Sequence, residues 1–253
     1  MFTRFRFIKS QVYKKSVSTG SILTFQNHKS YCIHNMYLDM PVFIQKWDTA
    51  KTKLDNALYS ESIEQLKQAK EIFHSNWWDP NHVDIAELLT HEAYAYLKSE
   101  NIDKAKELIA RVEEIKENLN HKQTVQMCII CLNSAILYLE LDDLSNSLKW
   151  IQDSKKIAES ASFPEHQQLL KIQIHFILGN ISQKKGEIEK AIEYYKNGDS
   201  EILEYYPKMK YELLRCLFEC SKQAGKKEEE IYYLRKIIEQ FYGDYSISKE
   251  IIS

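Results

Sequence analysis

The sequence predicts an all-α fold built from tandem helical hairpins. The 253-residue chain holds only six glycines and four prolines, too few for the closely spaced turns that an all-β protein needs. Three of the prolines, Pro80, Pro164 and Pro207, are separated by 84 and 43 residues. This spacing indicates a structural repeat of about 42 residues.

A short phrase recurs with the same period. Ser99–Ala105 (SENIDKA) matches Lys185–Ala191 (KGEIEKA), and Leu141–Ser147 lies between them. Weaker copies are Ala224–Glu230 and Ser60–Leu66. Each copy has a glycine or polar residue that can end a helix in the left-handed conformation, followed by polar residues suited to the start of the next helix. The phrase therefore predicts a helix–turn–helix hairpin.

Small residues mark where the two helices of a hairpin meet. The last residue of the phrase is small, and a second small residue stands 12 positions before it. Two backbones would approach closely at these positions. The pairs are Ala93 with Ala105, Ala135 with Ser147, and Gly179 with Ala191. A single hairpin would leave apolar surface bare, so neighbouring hairpins are expected to stack into a right-handed superhelix.

Five hairpins follow in order along the chain. Their predicted bounds are 43–79, 81–119, 121–162, 165–205 and 208–241, with each of the three prolines at or just before a first helix, where its missing N–H costs little. Phe176–Asn180 followed by Ala191–Tyr195 is similar to the tetratricopeptide consensus. The repeats are therefore tetratricopeptide-like, although longer than the usual 34 residues.

Charge separates an N-terminal head from the repeats. Residues 1–46 carry seven Lys and Arg against Asp39 alone, whereas the rest of the chain has a net charge of −8. The predicted domains are a basic head, 1–42, and a repeat domain, 43–253, too acidic to be a general polyanion binder. The first 25 residues are basic, contain serine and lack acids, so an organelle transit peptide is an alternative reading of the head.

The pattern of cysteines and the absence of catalytic motifs in the sequence argue against an enzymatic function. The five cysteines are an odd number without a secretory signal, which favours a cytoplasmic location. The pairs Cys128/Cys131 and Cys216/Cys220 read as buried core residues, since no strand or turn presents them as a redox or zinc site. The sequence contains no phosphate loop, no His-Glu-x-x-His and no nucleophile elbow. We expect no enzymatic activity, cofactor, metal or membrane span.

The repeat style of residues 43–245 resembles the sensor domains of the Rgg/GadR/MutR and PlcR group of bacterial regulators. In the head, Ile22–Ser30 resembles part of that family's DNA-binding domain, and Leu38–Ile44 resembles its end. Gln26 and His28 depart from the family's Glu and Gly, and fewer than 45 residues stand where a helix-turn-helix domain needs about 60. The resemblance implies a cytoplasmic quorum-sensing regulator that binds a short signalling peptide and dimerises through its C-terminal repeats. Its DNA-binding head would be truncated or degenerate, with impaired DNA binding.

The first helix of each hairpin is expected to line the concave surface. Asn133 and Asn180 are the leading candidates for peptide contact, because an amide can pair with both the N–H and the C=O of a peptide group. Arg215 is a candidate for a peptide carboxylate. The other predicted contacts are Tyr94, His91, Gln173, Phe176 and Lys184. The alternatives are that these side chains tie neighbouring helices together, and that the chain is a general scaffold for another protein, without DNA or pheromone.

Overall fold

A computed structural model of the chain describes residues 30–76, 79, 81–119, 124–160, 164–200 and 207–242. These residues contain ten helices and no strand, which confirms the predicted all-α class. In chain order the helices are α1 (Ser30–Asp55), α2 (Tyr59–Asn76), α3 (Val83–Lys98), α4 (Ile102–Asn118), α5 (Val125–Glu140), α6 (Leu144–Ser160), α7 (Pro164–Lys184), α8 (Ile188–Ser200), α9 (Pro207–Gln223) and α10 (Lys227–Tyr242).

The chain divides into two compact units, with the boundary between Leu137 and Tyr138. In the first unit, α1 packs on α2, α2 on α3, and α3 on α4. In the second unit the same order of contact joins α6, α7, α8, α9 and α10. Within these two runs each helix packs on its neighbour in sequence, as expected for consecutive hairpins. The predicted superhelical path stays a prediction.

The same turn closes all five hairpins. One residue in each turn has a positive φ, between 59° and 76°; these are Ala57, Glu100, Asp142, Gly186 and Gly225. The residue after it donates its backbone N–H to a carbonyl five positions earlier, at 2.9 Å in every hairpin. This is the hydrogen bond that ends a helix at a left-handed residue. The recurring phrase thus encodes a helix C-terminus, and we call its positive-φ residue the turn residue.

The first hairpin corrects one prediction. Ser60–Leu66, the earliest copy of the recurring phrase, was expected to contain the turn. Instead the turn residue is Ala57, and Ser60–Leu66 lies inside α2. The small position is held by Ser62, whose hydroxyl donates to the Ala50 carbonyl at 2.9 Å. Ser62 follows Ala50 by 12 residues, the same separation as in the other hairpins. The turn was therefore predicted four residues too late in the chain, whereas the 12-residue spacing of the small residues was correct.

The predicted small-residue contacts form the cores of the hairpins. Ala93, Ala105, Ala135, Ser147 and Ala191 are all completely buried. Gly179 is also buried, and a Cβ added there would lie 2.4 Å from Cε1 of Tyr195 on α8. The close approach of α7 and α8 therefore leaves no room for a side chain at position 179.

Helix α1 begins within the residues that the sequence assigned to the head. Residues 30–42, assigned to the head, are continuous with the first helix of the first hairpin, because α1 begins at Ser30. Pro41 lies within this helix, and its side chain is exposed. Residues 1–29, which include the proposed remnant of a DNA-binding domain, lie outside the described residues, as does Pro80. Pro164 and Pro207 begin α7 and α9, as predicted.

None of the helices in the described ranges has a stretch both long enough and apolar enough to cross a bilayer.

Candidate functional site

Four of the predicted contact residues lie on one face of α7. Gln173, Phe176, Asn180 and Lys184 are spaced by three, four and four residues, the spacing that aligns side chains along a helix. Gln173 is 6% exposed and Asn180 is 8% exposed, whereas Phe176 is half-buried. We call Gln173, Phe176 and Asn180 the α7 strip.

The α7 strip offers hydrogen-bond acceptors beside an aromatic ring. Oε1 of Gln173 is buried and has no hydrogen-bond partner among the described residues. Asn180 donates Nδ2 to the Phe176 carbonyl at 2.8 Å, which leaves its own oxygen as an acceptor. The Phe176 ring packs on Tyr195, with 6.0 Å between ring centroids. A buried acceptor without a donor costs free energy, so an added N–H donor at Gln173 would be favourable.

Lys184 and Arg215 make bonds within the protein instead. Nζ of Lys184 lies 2.8 Å from both the Leu139 carbonyl and a carboxylate oxygen of Asp142, so it caps the C-terminal end of α5. Arg215 on α9 donates to Glu212, one turn earlier, at 3.1 Å and 3.2 Å. Their observed roles are structural, and contact with a ligand would require these bonds to be exchanged.

In the first unit, Asn133 on α5 is completely buried. Its Nδ2 donates to the Thr90 hydroxyl at 3.2 Å, and its Oδ1 has no partner among the described residues. The bond to Thr90 ties α5 to α3, as in the alternative considered above. Oδ1 of Asn133 is thus a buried acceptor without a donor, as is Oε1 of Gln173 in the second unit.

The two remaining candidates on α3 are also buried. His91 exposes none of its surface, and burial together with the nearby charge of Lys51 lowers its pKa to about 3. It is therefore neutral near pH 7. Tyr94 is 4% exposed, and Nζ of Lys98 lies 5.2 Å from its ring centroid. In this conformation His91 exposes no surface to a ligand.

Sequence reasoning missed a polar network at the start of α5. The side-chain amide of Gln126 donates to Asp84 and, at 3.1 Å, to Glu87, so two carboxylates of α3 share one donor. Gln126 stands seven residues before Asn133 and thus on the same face of α5. The seven-residue spacing between Gln126 and Asn133 is the feature of the sequence from which this network could have been predicted.

The cysteine pairs behave as predicted core residues. Cys128, Cys131, Cys216 and Cys220 are all buried. Burial raises the pKa of Cys216 to about 11 and that of Cys220 to about 12. Within the described ranges no group of three or more His, Cys, Asp or Glu side chains is arranged to hold a metal ion.

Comparison of the chain with known proteins finds similar solved structures. No protein-family model matches the chain. No curated protein matches it by sequence. Among solved structures, BtubC (BKLC) from P. vanneervenii is similar with a TM-score of 0.59 and 11% identity, over 83% of this chain and 91% of that chain.

Nearly identical TPR-like repeats of a kinesin light chain candidate from Podosopora anserina are similar with a TM-score of 0.56 and 15% identity, over 78% of this chain and 94% of that one. A variant of those repeats gives 0.57 and 14%, over 82% and 95%. At these identities the likeness concerns the fold. The described residues have a tetratricopeptide-like repeat fold.

Proposed function

We propose that the chain binds a short extended peptide along the first helices of its hairpins and serves as the sensor of an Rgg/PlcR-like regulator. The observation that carries the proposal is the α7 strip: the unused acceptor of Gln173 and the amide of Asn180 flank the half-buried ring of Phe176. A peptide backbone supplies N–H donors for the two amides once the buried side chain of Gln173 turns outward, and one apolar side chain of the peptide packs on the ring.

Support for the regulatory part of the proposal comes from the sequence resemblance. The acidic repeats, and the departures of Gln26 and His28 from the family's pattern, fit a regulator with impaired DNA binding. The absence of a catalytic motif in the sequence fits a protein that is not an enzyme. Homodimerisation, which the resemblance also implies, stays a prediction that sedimentation velocity would check.

Peptide selection followed by calorimetry tests the proposal. A random library of short hydrophobic peptides is panned against the full chain, and the selected peptides are titrated. Asn180→Ala and Gln173→Ala should each weaken binding by about 1–3 kcal/mol, the usual effect of stranding a buried polar group. Gln152→Ala is the matched control, because Gln152 is an exposed amide on the second helix α6. Equal affinities for all four proteins would refute a role for the α7 strip.

A general protein scaffold is the second candidate, favoured by the similarity to the kinesin light chain candidate. Such a scaffold would recognise a folded or long partner segment and would ignore free short peptides. Failure of the library to yield any binder, together with a stable complex with a larger partner, would favour this function over the sensor.

A further inference from the structure

Helix α9 carries three charged side chains along one side. Glu212, Arg215 and Glu219 are spaced by three and four residues, the spacing that aligns side chains on a helix. Arg215 donates both of its bonds, at 3.1 Å and 3.2 Å, to the same carboxylate oxygen of Glu212. The only basic residue between the two acids in the sequence is therefore already engaged with Glu212.

The carboxylate of Glu219 makes no hydrogen bond or ion pair with any residue that the structure describes. Its side chain is half-buried. Burial, then the charges of Cys216 and Glu219, raise the pKa of Cys220 to about 12, so the carboxylate lies near a buried thiol. A carboxylate that is partly removed from water without a partner costs free energy, and a cation placed beside Glu219 would be favourable.

The repeat register places Glu219 beside Asn180 of α7. Each of them stands six residues before the turn residue of its hairpin. In the first unit, side chains at one register position of consecutive first helices touch: Asp84 and Gln126, each 16 residues before its turn residue, are joined by a hydrogen bond. The same relation sets Glu219 next to Asn180.

Packing within the second unit agrees with this register. Phe176, ten residues before its turn residue, packs against the core cluster that contains Leu213 and Leu217. These two residues stand 12 and eight residues before the turn residue of their own hairpin. The middle of α7 therefore lies against the matching stretch of α9, and the α7 strip continues onto Glu219.

The combined face of α7 and α9 is rich in hydrogen-bond acceptors. Asn180 uses its Nδ2 within α7, so its oxygen is left to accept, and Oε1 of Gln173 has no donor among the described residues. Glu212 accepts from Arg215 through one oxygen only. Two acids and one base give the α9 part of the face a net charge of −1. A complementary ligand therefore brings N–H donors and positive charge.

We infer that the peptide bound at this site carries an arginine, whose guanidinium binds the carboxylate of Glu219 and the amide oxygen of Asn180. This inference rests on the proposed function and specifies its ligand. A guanidinium has five N–H donors and no acceptor, and its planar fork pairs with a carboxylate through two bonds. A lysine ammonium is a compact point charge without that fork, so arginine matches the two groups better.

The spacing of the α7 strip indicates where the arginine stands in the peptide. Asn180 follows Phe176 by four residues, which is about 6 Å along a helix. In an extended peptide, side chains on one side recur every second residue, about 6.6–6.8 Å apart. The apolar residue that packs on Phe176 and the arginine that binds at Asn180 are therefore separated by one residue.

Capped peptide libraries test the requirement for charge without altering the protein. One pair has the sequences acetyl-x-Leu-x-Arg-x-amide and acetyl-x-Arg-x-Leu-x-amide, where x is varied; the other pair has citrulline, which keeps the shape and loses the charge, in place of arginine. The libraries are panned against the full chain, and selected peptides are titrated by calorimetry. Arginine peptides should bind at least about tenfold more tightly than their citrulline counterparts, with a smaller difference at high salt.

Variants of Glu219 test which residue of the protein reads the charge. Glu219→Gln should weaken binding of arginine peptides by about tenfold and leave citrulline peptides unaffected. Glu219→Arg should reverse the preference, so that peptides with glutamate in place of arginine bind more tightly. Glu193→Gln is the matched control, because Glu193 is an exposed acid on the second helix α8, and arginine peptides should bind this variant as they bind the parent.

Two results would overturn the inference and leave the proposed function standing. One is a set of selected peptides that bind equally well with arginine or citrulline. The other is equal weakening by Glu219→Gln and Glu193→Gln. If these libraries yield no binder while the random hydrophobic library does, the inference again fails alone; if neither yields a binder, the proposed function fails with it.

Discussion

Substitution of Gly179 by alanine probes a close contact between α7 and α8. In an exposed helix the change would stabilise by about 1 kcal/mol, because alanine is the better helix former. Here the new methyl group would lie 2.4–2.8 Å from three carbon atoms of the Tyr195 ring. That ring is completely buried, and its hydroxyl donates to Gln183 at 3.1 Å, so it has no open space into which to move.

Overpacking of a closely packed core costs about 1–3 kcal/mol. Set against the helix-forming gain of about 1 kcal/mol, the expected net effect of Gly179→Ala is a destabilisation of up to about 2 kcal/mol. Replacing Tyr195 by a smaller aliphatic residue should relieve this overpacking. The first three hairpins have an alanine and an aliphatic residue at these two positions, for example Ala93 with Ile109. The variant Gly179→Ala with Tyr195→Leu reproduces that combination.

Urea unfolding followed by circular dichroism at 222 nm measures all four proteins of this cycle. We expect each single variant to be less stable than the parent and the double variant to be more stable than the two single losses predict. Gly198→Ala serves as the control, because its added Cβ would meet Leu213 at 3.3 Å, a contact that a small shift relieves. A Gly179→Ala protein that is more stable than the parent would refute the reasoning.

Three further predictions concern other buried groups. Ser62→Ala should lower the free energy of unfolding by about 1 kcal/mol, measured in urea, because it removes the bond to Ala50; an unchanged midpoint would contradict the corrected register. His91 stays neutral in the folded state down to a pKa of about 3, while the unfolded chain binds a proton below about pH 6.5. Stability should therefore fall as pH falls from 6.5 towards 3, and His91→Gln should flatten that slope by up to ~1.4 kcal/mol per pH unit; parallel curves would contradict the neutral state. Cys216 and Cys220, whose pKa values burial raises to about 11 and about 12, should resist iodoacetamide at pH 8 until urea unfolds the chain, as peptide mapping would show; equal modification in the folded protein would exclude their burial.

The sequence predicted the fold well because its signals are local. A helix end that needs a left-handed residue and a helix contact that needs a small side chain both depend on residues close together in the chain, as at Gly186 and Ala191. The first hairpin was misplaced because Ala57 is neither glycine nor polar. Nothing in its residue type indicates a positive φ, and only the hydrogen bond of Ser62 to Ala50 reveals the register.

The candidate site was harder to predict because it depends on partners far apart in sequence. Lys184 was expected to face a ligand, but its acceptors at Leu139 and Asp142 stand more than 40 residues away. Burial of His91 likewise depends on helices that surround α3. Periodicity identifies which face of a helix a residue occupies, whereas the use of that residue depends on what the neighbouring helices place opposite it.

Hydrogen exchange with and without a selected peptide tests the central claim most directly. The account predicts that the peptide slows amide exchange in the first helix α7, around Gln173 to Asn180, and leaves the second helix α8 unchanged. Protection confined to α8, or none in α7 at saturating peptide, would contradict a binding surface formed by the first helices.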